Sequence, residues 1–190
     1  MTTDELKNDV PLEKKLDELY GLIEGIEIAM FTTRRQDGRL VSRPMATQKR
    51  EPGADLWFVT DVESEKIDEL VADPNVALAY YNVKSWEWVS VSGTATISQD
   101  RAMIRELYEA DWKAWFGDEG GARDGGPDDP RLALLLIDVK SAIYGKRNKP
   151  KPLVLFELAK GIVTGTRPDV SDVRSVTERE MDTGQTLEHG

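Results

Sequence analysis

Short apolar segments of strand length recur along this chain, and they constrain its fold more than any other feature. They are rich in aromatic and β-branched residues, which suit a pleated, packed surface. Few of the segments between these strands are long enough for the crossover connections that parallel strands require. The pattern predicts a mainly β fold with flanking helices, in which six antiparallel strands form a small barrel. The predicted strands are Ile26–Thr33, Leu40–Thr47, Leu56–Val59, Val76–Tyr81, Trp86–Ile97 and Leu132–Val139.

The first two predicted strands are joined by Gln36-Asp37-Gly38, which is typical of a tight hairpin. Pro44 cannot donate to the ladder, so it marks an edge, a bulge or a gap that faces a ligand. An arginine on an apolar strand face is costly to bury without an anion. Arg43 is therefore predicted either to pair with a nearby carboxylate or to bind an anionic ligand. Period two places it on one face with Val41, Met45 and Thr47.

The stretch Leu56–Leu70 predicts a buried strand, a polar turn and the start of a helix. Ser64 is the expected N-cap, with its hydroxyl accepting from a backbone N–H of the first turn. The first N–H groups of a helix lack partners, and its dipole is positive there, so an anion can bind. Lys66 would then be a phosphate ligand. The alternative is a solvated Lys66 whose charge is offset by Glu63 and Glu65.

Composition limits the chemistry that this chain can perform. Its 190 residues include no cysteine, and the single histidine, His189, is next to the C-terminal residue. Disulfides and cysteine-based metal sites are excluded, and the commonest general base and metal ligand is absent from the predicted folded part. No metal site is expected. If the protein is an enzyme, a cofactor is expected to carry the reaction.

Charge and hydropathy exclude further classes. The net charge of −10 argues against non-specific binding to nucleic acid, which requires a basic surface. No apolar run approaches the ~20 residues of a membrane span, and the N-terminus lacks the pattern of a signal peptide. No Gly-x-Gly-x-x-Gly motif follows a strand, so no dinucleotide fingerprint is present. A cytoplasmic location is expected.

The remaining segments divide the chain into one domain with two loose ends. We expect residues 1–10 to be flexible, 11–165 to form the barrel domain, and 166–190 to be a disordered tail. Gly117–Pro130 is predicted to be a solvated, mobile loop. Gly93 indicates a bulge or a close approach by another backbone. Besides the helix that begins after Ser64, three helices are predicted. They are Leu12–Gly25, a long helix with an aromatic stripe that runs from its cap at Asp100 to Gly117, and Leu153–Ile162.

Three motifs in order suggest a family. Ser42-Arg43-Pro44-Met45 and the pattern Leu56-Trp57-Phe58-Val59-Thr60-Asp61-x-x-Ser64-x-Lys66-x-x-x-Leu70 resemble the flavin-binding pattern of pyridoxamine 5′-phosphate oxidase-like split barrels. Val89–Ala95 resembles their next strand pair. Asp111–Phe116, followed by Asp128-Asp129-Pro130 and Leu134-Leu135, is similar to the general stress protein 26 branch. The resemblance covers roughly Leu12 to Gly165.

The resemblance implies a homodimer with two FMN sites at the subunit interface. Arg43 and Lys66 match phosphate ligands, and Ser64 matches the turn that holds the phosphate. Trp88 stands where oxidase relatives place a polar group from the partner subunit. A wall for the ribityl chain and the ring edge is implied at Met45, Ala46, Phe58, Val59 and Thr60. The implied cofactor-binding set is Arg43, Pro44, Met45, Ala46, Phe58, Val59, Thr60, Asp61, Ser64, Lys66, Trp88 and Trp115.

Departures from the family pattern narrow the expected function. Tyr144 stands where this branch usually carries a Trp, and Glu65 stands where the oxidases tend to have a basic residue. The substrate-binding Arg and His residues of the oxidases have no match after Gly145, so pyridoxamine phosphate is not the expected substrate. The expected function is an FMN-dependent oxidoreductase acting on an unknown small molecule, with a link to stress response. The alternatives are a flavin sensor or carrier with little turnover, or the same barrel binding a deazaflavin or haem, although scarce histidine argues against haem. No catalytic residue is assigned.

Overall fold

The computed structural model describes residues 6–50, 54–165 and 170–188. The chain divides into two compact units. One consists of Met1–Ile26, Ala79–Val91 and Ser141–Gly190, and the other, called unit 2 below, consists of Glu27–Leu78 and Ser92–Lys140. Because the two units alternate along the chain, no single linker in the sequence marks the boundary between them. None of the helices in the described ranges is long and apolar enough to cross a membrane.

The described residues form seven strands and six α-helices. In chain order they are α1 Leu12–Ile26, β1 Ile28–Arg34, β2 Leu40–Ala46, β3 Leu56–Asp61, α2 Glu65–Ala72, β4 Asn75–Tyr81, β5 Trp88–Ser98, α3 Arg101–Leu107, α4 Lys113–Phe116, β6 Leu132–Arg147, α5 Lys151–Thr164, β7 Ser171–Val176 and α6 Glu178–Glu188.

All six predicted strands are present, and they form one sheet in the order β2-β1-β4-β5-β6-β3, with β7 also paired to β6. The hairpin of β1 and β2 is antiparallel, with Phe31 opposite Arg43 and Thr33 opposite Val41. Burial alternates along β2 as predicted, with Val41, Arg43 and Met45 less exposed than the residues between them. The register therefore places Arg43 on the same face as the buried side chains of β1.

Aromatic packing fixes β3 within unit 2. Phe58 is fully buried and meets Phe31 edge to face, with 5.2 Å between the ring centroids. Trp57 packs against Trp112 in the same manner at 6.0 Å. Such pairs contribute roughly 0.5–1.5 kcal/mol beyond the area they bury. The end of β3, from which the turn into α2 begins, is thereby held in place.

Two local predictions are confirmed. A Cβ added at Gly93 would overlap the carbonyl oxygen of Asp138 and lie 3.3 Å from the Cα of Val139, so another backbone does approach closely there. Asp100 caps α3, because its side chain accepts from the backbone N–H groups of Ala102 and Met103.

The prediction of one continuous helix from Asp100 to Gly117 was wrong. Helix α3 ends at Leu107, a 3₁₀ turn follows at Ala110–Trp112, and α4 has only four residues. Tyr108 is extended, donates its hydroxyl to Gly125 O at 2.8 Å, and packs on Trp112 with 5.4 Å between the rings. Tertiary packing of the aromatic stripe therefore overrides its helical period.

The prediction of a disordered tail was wrong for residues 170–188, which form β7 and α6. Strand β7 pairs with β6 and also accepts from Lys7, whose backbone N–H lies 2.8 Å from Val173 O. Residues 6–10, predicted to be flexible, are therefore tied down in part. Lys15 of α1 binds Glu180 of α6 at 2.7 Å. Residues 1–5, 166–169 and 189–190, with His189, lie outside the described residues.

Candidate functional site

Arg43 lies on β2 and forms a bidentate ion pair with Glu69 of α2. Its Nη1 donates to Glu69 Oε2 at 2.9 Å, and its Nη2 donates to Glu69 Oε1 at 3.0 Å. Nη1 also donates to Thr33 Oγ1 at 2.9 Å. The predicted pairing with a nearby carboxylate is therefore present. It does not use all of the guanidinium, since three of its five N–H groups are engaged and two have no partner among the described residues.

Lys66 lies in the first turn of α2, and its ammonium contacts hydroxyls rather than carboxylates. Its Nζ donates to Thr60 Oγ1 at 2.8 Å and to Ser64 Oγ at 3.0 Å. Glu63 instead binds Arg123 through both of its oxygens, at 2.7 and 2.9 Å. The part of the alternative in which Glu63 and Glu65 offset the charge of Lys66 by pairing with it is therefore wrong, and the side chain is half-buried rather than fully solvated. Within the described ranges no carboxylate pairs with Lys66, and one of its three N–H groups has no partner.

Ser64 is the N-cap of α2, but the predicted capping bond was wrong. Its side chain caps no backbone N–H of the helix. The hydroxyl instead donates to Asp61 O at 2.7 Å and accepts from Lys66, so it is already occupied. The start of the helix is therefore free of the side-chain acceptor that usually covers it, while Ser64 orients the lysine.

Electrostatics link the two cations. The pKa of Lys66 lies below its ordinary value of 10.5, first because the side chain is half-buried and then because Arg43 repels its charge. Asp61 and Glu69 act in the opposite direction. The pKa of Glu69 lies below its ordinary value of 4.5, chiefly through the hydrogen bond from Arg43. The two cations are close enough to repel each other, so an added anion would stabilise the pair.

The other predicted binding residues are distributed on both faces of the sheet. Thr60 is buried next to Lys66, and Met45 and Val59 are half-buried. Phe58 is in the core against Phe31, and Asp61 builds the turn by accepting from the backbone N–H of Glu63. The opposite face of β2 carries Pro44 and Ala46, which are exposed. The binding roles of these residues stay predictions.

The two predicted tryptophans have different surroundings, and their binding roles stay predictions. Trp115 of α4 is 85% exposed. Trp88 belongs to the other unit, where its indole packs directly over Gly145. Tyr144 is fully buried in that unit and donates to Lys15 O at 3.1 Å, and burial followed by the charge of Glu18 raises its pKa. Tyr144 is therefore a packing residue in this structure.

The loop predicted to be solvated and mobile is anchored at its C-terminal end. Asp129 is fully buried and binds Arg131, with Oδ2 2.7 Å from Nη2. Arg131 also donates to the carbonyl oxygens of Phe116 and Gly117 at 2.8 and 3.0 Å. The hydrogen bond from Arg131 holds the pKa of Asp129 well below its usual range. The prediction was wrong here because it treated every acid in the loop as solvated.

A cavity of about 330 Å³ lies beside Glu69, on the side of the hairpin turn. Its lining includes Arg35 but also four carboxylates, so it does not suit a phosphate. No group of three or more potential ligands in the described ranges could hold a metal ion. The lining residues are Arg35, Gln36, Asp37, Glu65, Asp68 and Glu69.

Comparison with known proteins places these features in a family context. The sequence model of the family described as pyridoxamine 5′-phosphate oxidase like matches residues 14–169. Protein bli-3 from Neurospora crassa is 37% identical over 179 residues, which cover 93% of this chain and 86% of that protein.

Solved structures are similar as well. The structure of a candidate general stress protein 26 from Jannaschia sp. CCS1 matches with TM-score 0.66 and 26% identity, over 87% of this chain and 99% of that one. A general stress FMN/FAD binding protein from Xanthomonas citri matches with TM-score 0.56 and 26% identity, over 68% of this chain and 87% of that one. A pyridoxamine 5′-phosphate oxidase-related FMN binding protein from Nostoc punctiforme PCC 73102 shares the fold, with TM-score 0.56 and 19% identity over 72% of this chain and 84% of that one. The predicted split-barrel fold is confirmed.

Proposed function

Because this chain belongs to the pyridoxamine 5′-phosphate oxidase-like family, we propose that it binds FMN and that Arg43 and Lys66 hold the phosphate. The observation that carries the proposal is the half-buried ammonium of Lys66, which has hydroxyl partners but no carboxylate partner among the described residues. A buried cation is costly unless an opposite charge pairs with it. A dianionic phosphate next to both side chains supplies that charge.

The residues fit the phosphate end of FMN through their remaining donors. Arg43 has two N–H groups left for phosphate oxygens and Lys66 has one, as counted above. Thr60 and Ser64 orient the ammonium. Of the implied wall, Met45 and Val59 are half-buried and Ala46 is exposed, so these three side chains remain accessible to the ribityl chain and the ring edge.

Bound FMN would supply hydride or electron transfer, and the protein would bind, orient and shield it. We propose an FMN-dependent oxidoreductase that acts on a small molecule. A flavin carrier or sensor is the second candidate, since the cluster of Arg43, Lys66 and Glu69 contains no histidine, which is the commonest general acid or base. Steady reoxidation of the reduced flavin with a nicotinamide donor would favour the enzyme, and a single reduction without turnover would favour the carrier.

We also propose a homodimer that uses the outer face of the β1–β2 hairpin. Ile28 and Met30 of β1 are 48% and 43% exposed, although both are apolar. They lie opposite Ala46 and Pro44 of β2, which are exposed as well. An apolar surface of this kind is typical of a protein interface. The change Met30→Glu should convert a dimer to monomers in light scattering, and a monomeric wild type would contradict this part of the proposal.

Titration of flavin-free protein with FMN and with riboflavin tests the proposal, because the two ligands differ only in the phosphate. Flavin fluorescence should report saturable binding of both, with FMN tighter by at least about 10-fold, since one charge-assisted contact contributes about 1.5–3 kcal/mol. Equal affinities would exclude a phosphate site at Arg43 and Lys66. Absence of binding to either ligand would refute flavin binding altogether.

A further inference from the structure

The guanidinium of Arg43 forms a closed hydrogen-bonded triangle with the side chains of Glu69 and Thr33. Neither Glu69 nor Thr33 belongs to a motif noted in the sequence. Glu69 accepts hydrogen bonds from Nη1 and Nη2 of Arg43, at 2.9 and 3.0 Å. The hydroxyl of Thr33 donates to Glu69 Oε2 at 2.6 Å and accepts from Arg43 Nη1 at 2.9 Å. Each of the three residues thus contacts the other two.

Two members of the triangle are buried, and Arg43 is the partly exposed one. The side chain of Glu69 is 7% exposed, while that of Arg43 is 26% exposed. Thr33 is 1% exposed. A guanidinium is planar and rigid, so fixing one edge of Arg43 also fixes the direction of its two remaining N–H groups.

A carboxylate beside an anion site requires an explanation, because it repels the ligand. Asp61 also acts on Lys66 through its charge. With Asp61 included, the cluster of Arg43, Lys66 and Glu69 has no net charge, whereas it would carry +1 without Glu69. Electrostatic attraction alone would therefore be stronger without Glu69. What Glu69 contributes is geometry, since a free arginine loses side-chain freedom when it binds and a prepositioned one does not.

We propose that Glu69 and Thr33 are positioning residues that hold the guanidinium of Arg43 ready for a phosphate monoester. The proposal rests on FMN binding as proposed above. Glu69 acts from α2 and Thr33 from β1, so the helix and the hairpin are joined at the residue that meets the ligand. Neither residue is assigned a contact with the flavin.

The variant Glu69→Gln separates positioning from electrostatics, because the two explanations predict opposite signs. Glutamine has nearly the same shape, removes one negative charge and has one carbonyl oxygen in place of the two oxygens that accept from Arg43. If Glu69 positions Arg43, the affinity for FMN falls by about 2- to 12-fold despite the gain in positive charge, which corresponds to the ordering of one side chain. If electrostatics dominates, the affinity for FMN rises.

The variant Thr33→Val tests the same triangle without changing any charge, so it also serves if Glu69→Gln does not fold. It should weaken FMN binding by up to a few fold. The matched control is Thr32→Val, since Thr32 is the adjacent threonine of β1 and its hydroxyl meets Ser42 at 2.8 Å instead of Arg43. The control should bind FMN as wild type does.

The readout is the ratio of FMN to riboflavin affinity, measured by fluorescence titration of folded protein. If Glu69 and Thr33 had a purely structural role, their variants would change the affinities for FMN and riboflavin alike. If they position Arg43, their variants change only the affinity for FMN. Wild-type ratios in both Glu69→Gln and Thr33→Val, or a higher ratio in Glu69→Gln, would overturn the inference while leaving FMN binding intact. Wild-type protein that binds no FMN would overturn the proposed function and this inference with it.

Discussion

Replacing Lys66 with methionine should weaken FMN binding without destabilising the flavin-free protein. The charge of Lys66 is disfavoured in the folded state, because burial and Arg43 lower its pKa from the ordinary 10.5. A lysine whose folded pKa is lowered reduces stability at neutral pH, since charging it costs more in the folded than in the unfolded chain. Methionine removes this cost and keeps a similar length. Ser64 keeps its acceptor, the carbonyl of Asp61.

The loss of binding can be given a magnitude. Lys66 has one unused N–H for the phosphate, and a charge-assisted hydrogen bond contributes about 1.5–3 kcal/mol. The Kd for FMN should therefore increase by about 10- to 150-fold in Lys66→Met, while the Kd for riboflavin changes little. Fluorescence titration measures both constants.

Stability of the flavin-free protein is measured by urea unfolding. It should be equal to or higher than that of wild type in Lys66→Met. The control Lys84→Met removes an exposed lysine from the turn before β5 and should change neither quantity. A Lys66→Met protein that binds FMN as tightly as wild type, or that is clearly less stable, would refute the argument.

Two further predictions follow from the same structure. The affinity for FMN should fall at alkaline pH as Lys66 loses its proton, and this loss should begin at a lower pH than for an ordinary lysine because the pKa of Lys66 is lowered. In titrations from pH 7 to 10, Lys66→Arg should move the loss of affinity to higher pH. An affinity for FMN that does not change over this range would contradict the prediction. Gly93→Ala should lower the free energy of unfolding in urea by about 1–3 kcal/mol because of its overlap with Asp138. The control is Gly21→Ala in α1, where an added Cβ meets nothing, and it should raise the free energy of unfolding by about 0.5–1 kcal/mol. If Gly93→Ala and Gly21→Ala changed this free energy equally, a clash at Gly93 would be excluded.

The two cations of the site could be predicted because each is anomalous in its local sequence. Arg43 interrupts an apolar strand face, and Lys66 opens a helix where a cation is unfavourable. Glu69 and Thr33 were missed, although a signal was present. In an antiparallel hairpin, diagonal residues on one face are within reach of long side chains. The observed register makes Thr33 such a neighbour of Arg43.

The strands of the sheet were predictable because their apolar pattern is local, while β7 and α6 were not. Strand β7 pairs with β6 and with Lys7, whose separation from Val173 along the chain leaves no period to detect. Helix α6 is held to α1 by Glu180, which binds Lys15. A polar segment with a distant partner has the composition of a disordered one, so only the tertiary structure distinguishes them.

Phosphorus NMR of bound FMN tests most directly whether Arg43 and Lys66 bind its phosphate. The second ionisation of a free phosphate monoester has a pKa of about 6. Two adjacent cations favour the dianion, so the bound phosphate should titrate well below this value in wild type and closer to it in Lys66→Met. A bound phosphate that titrates near pH 6 in both proteins would contradict the account.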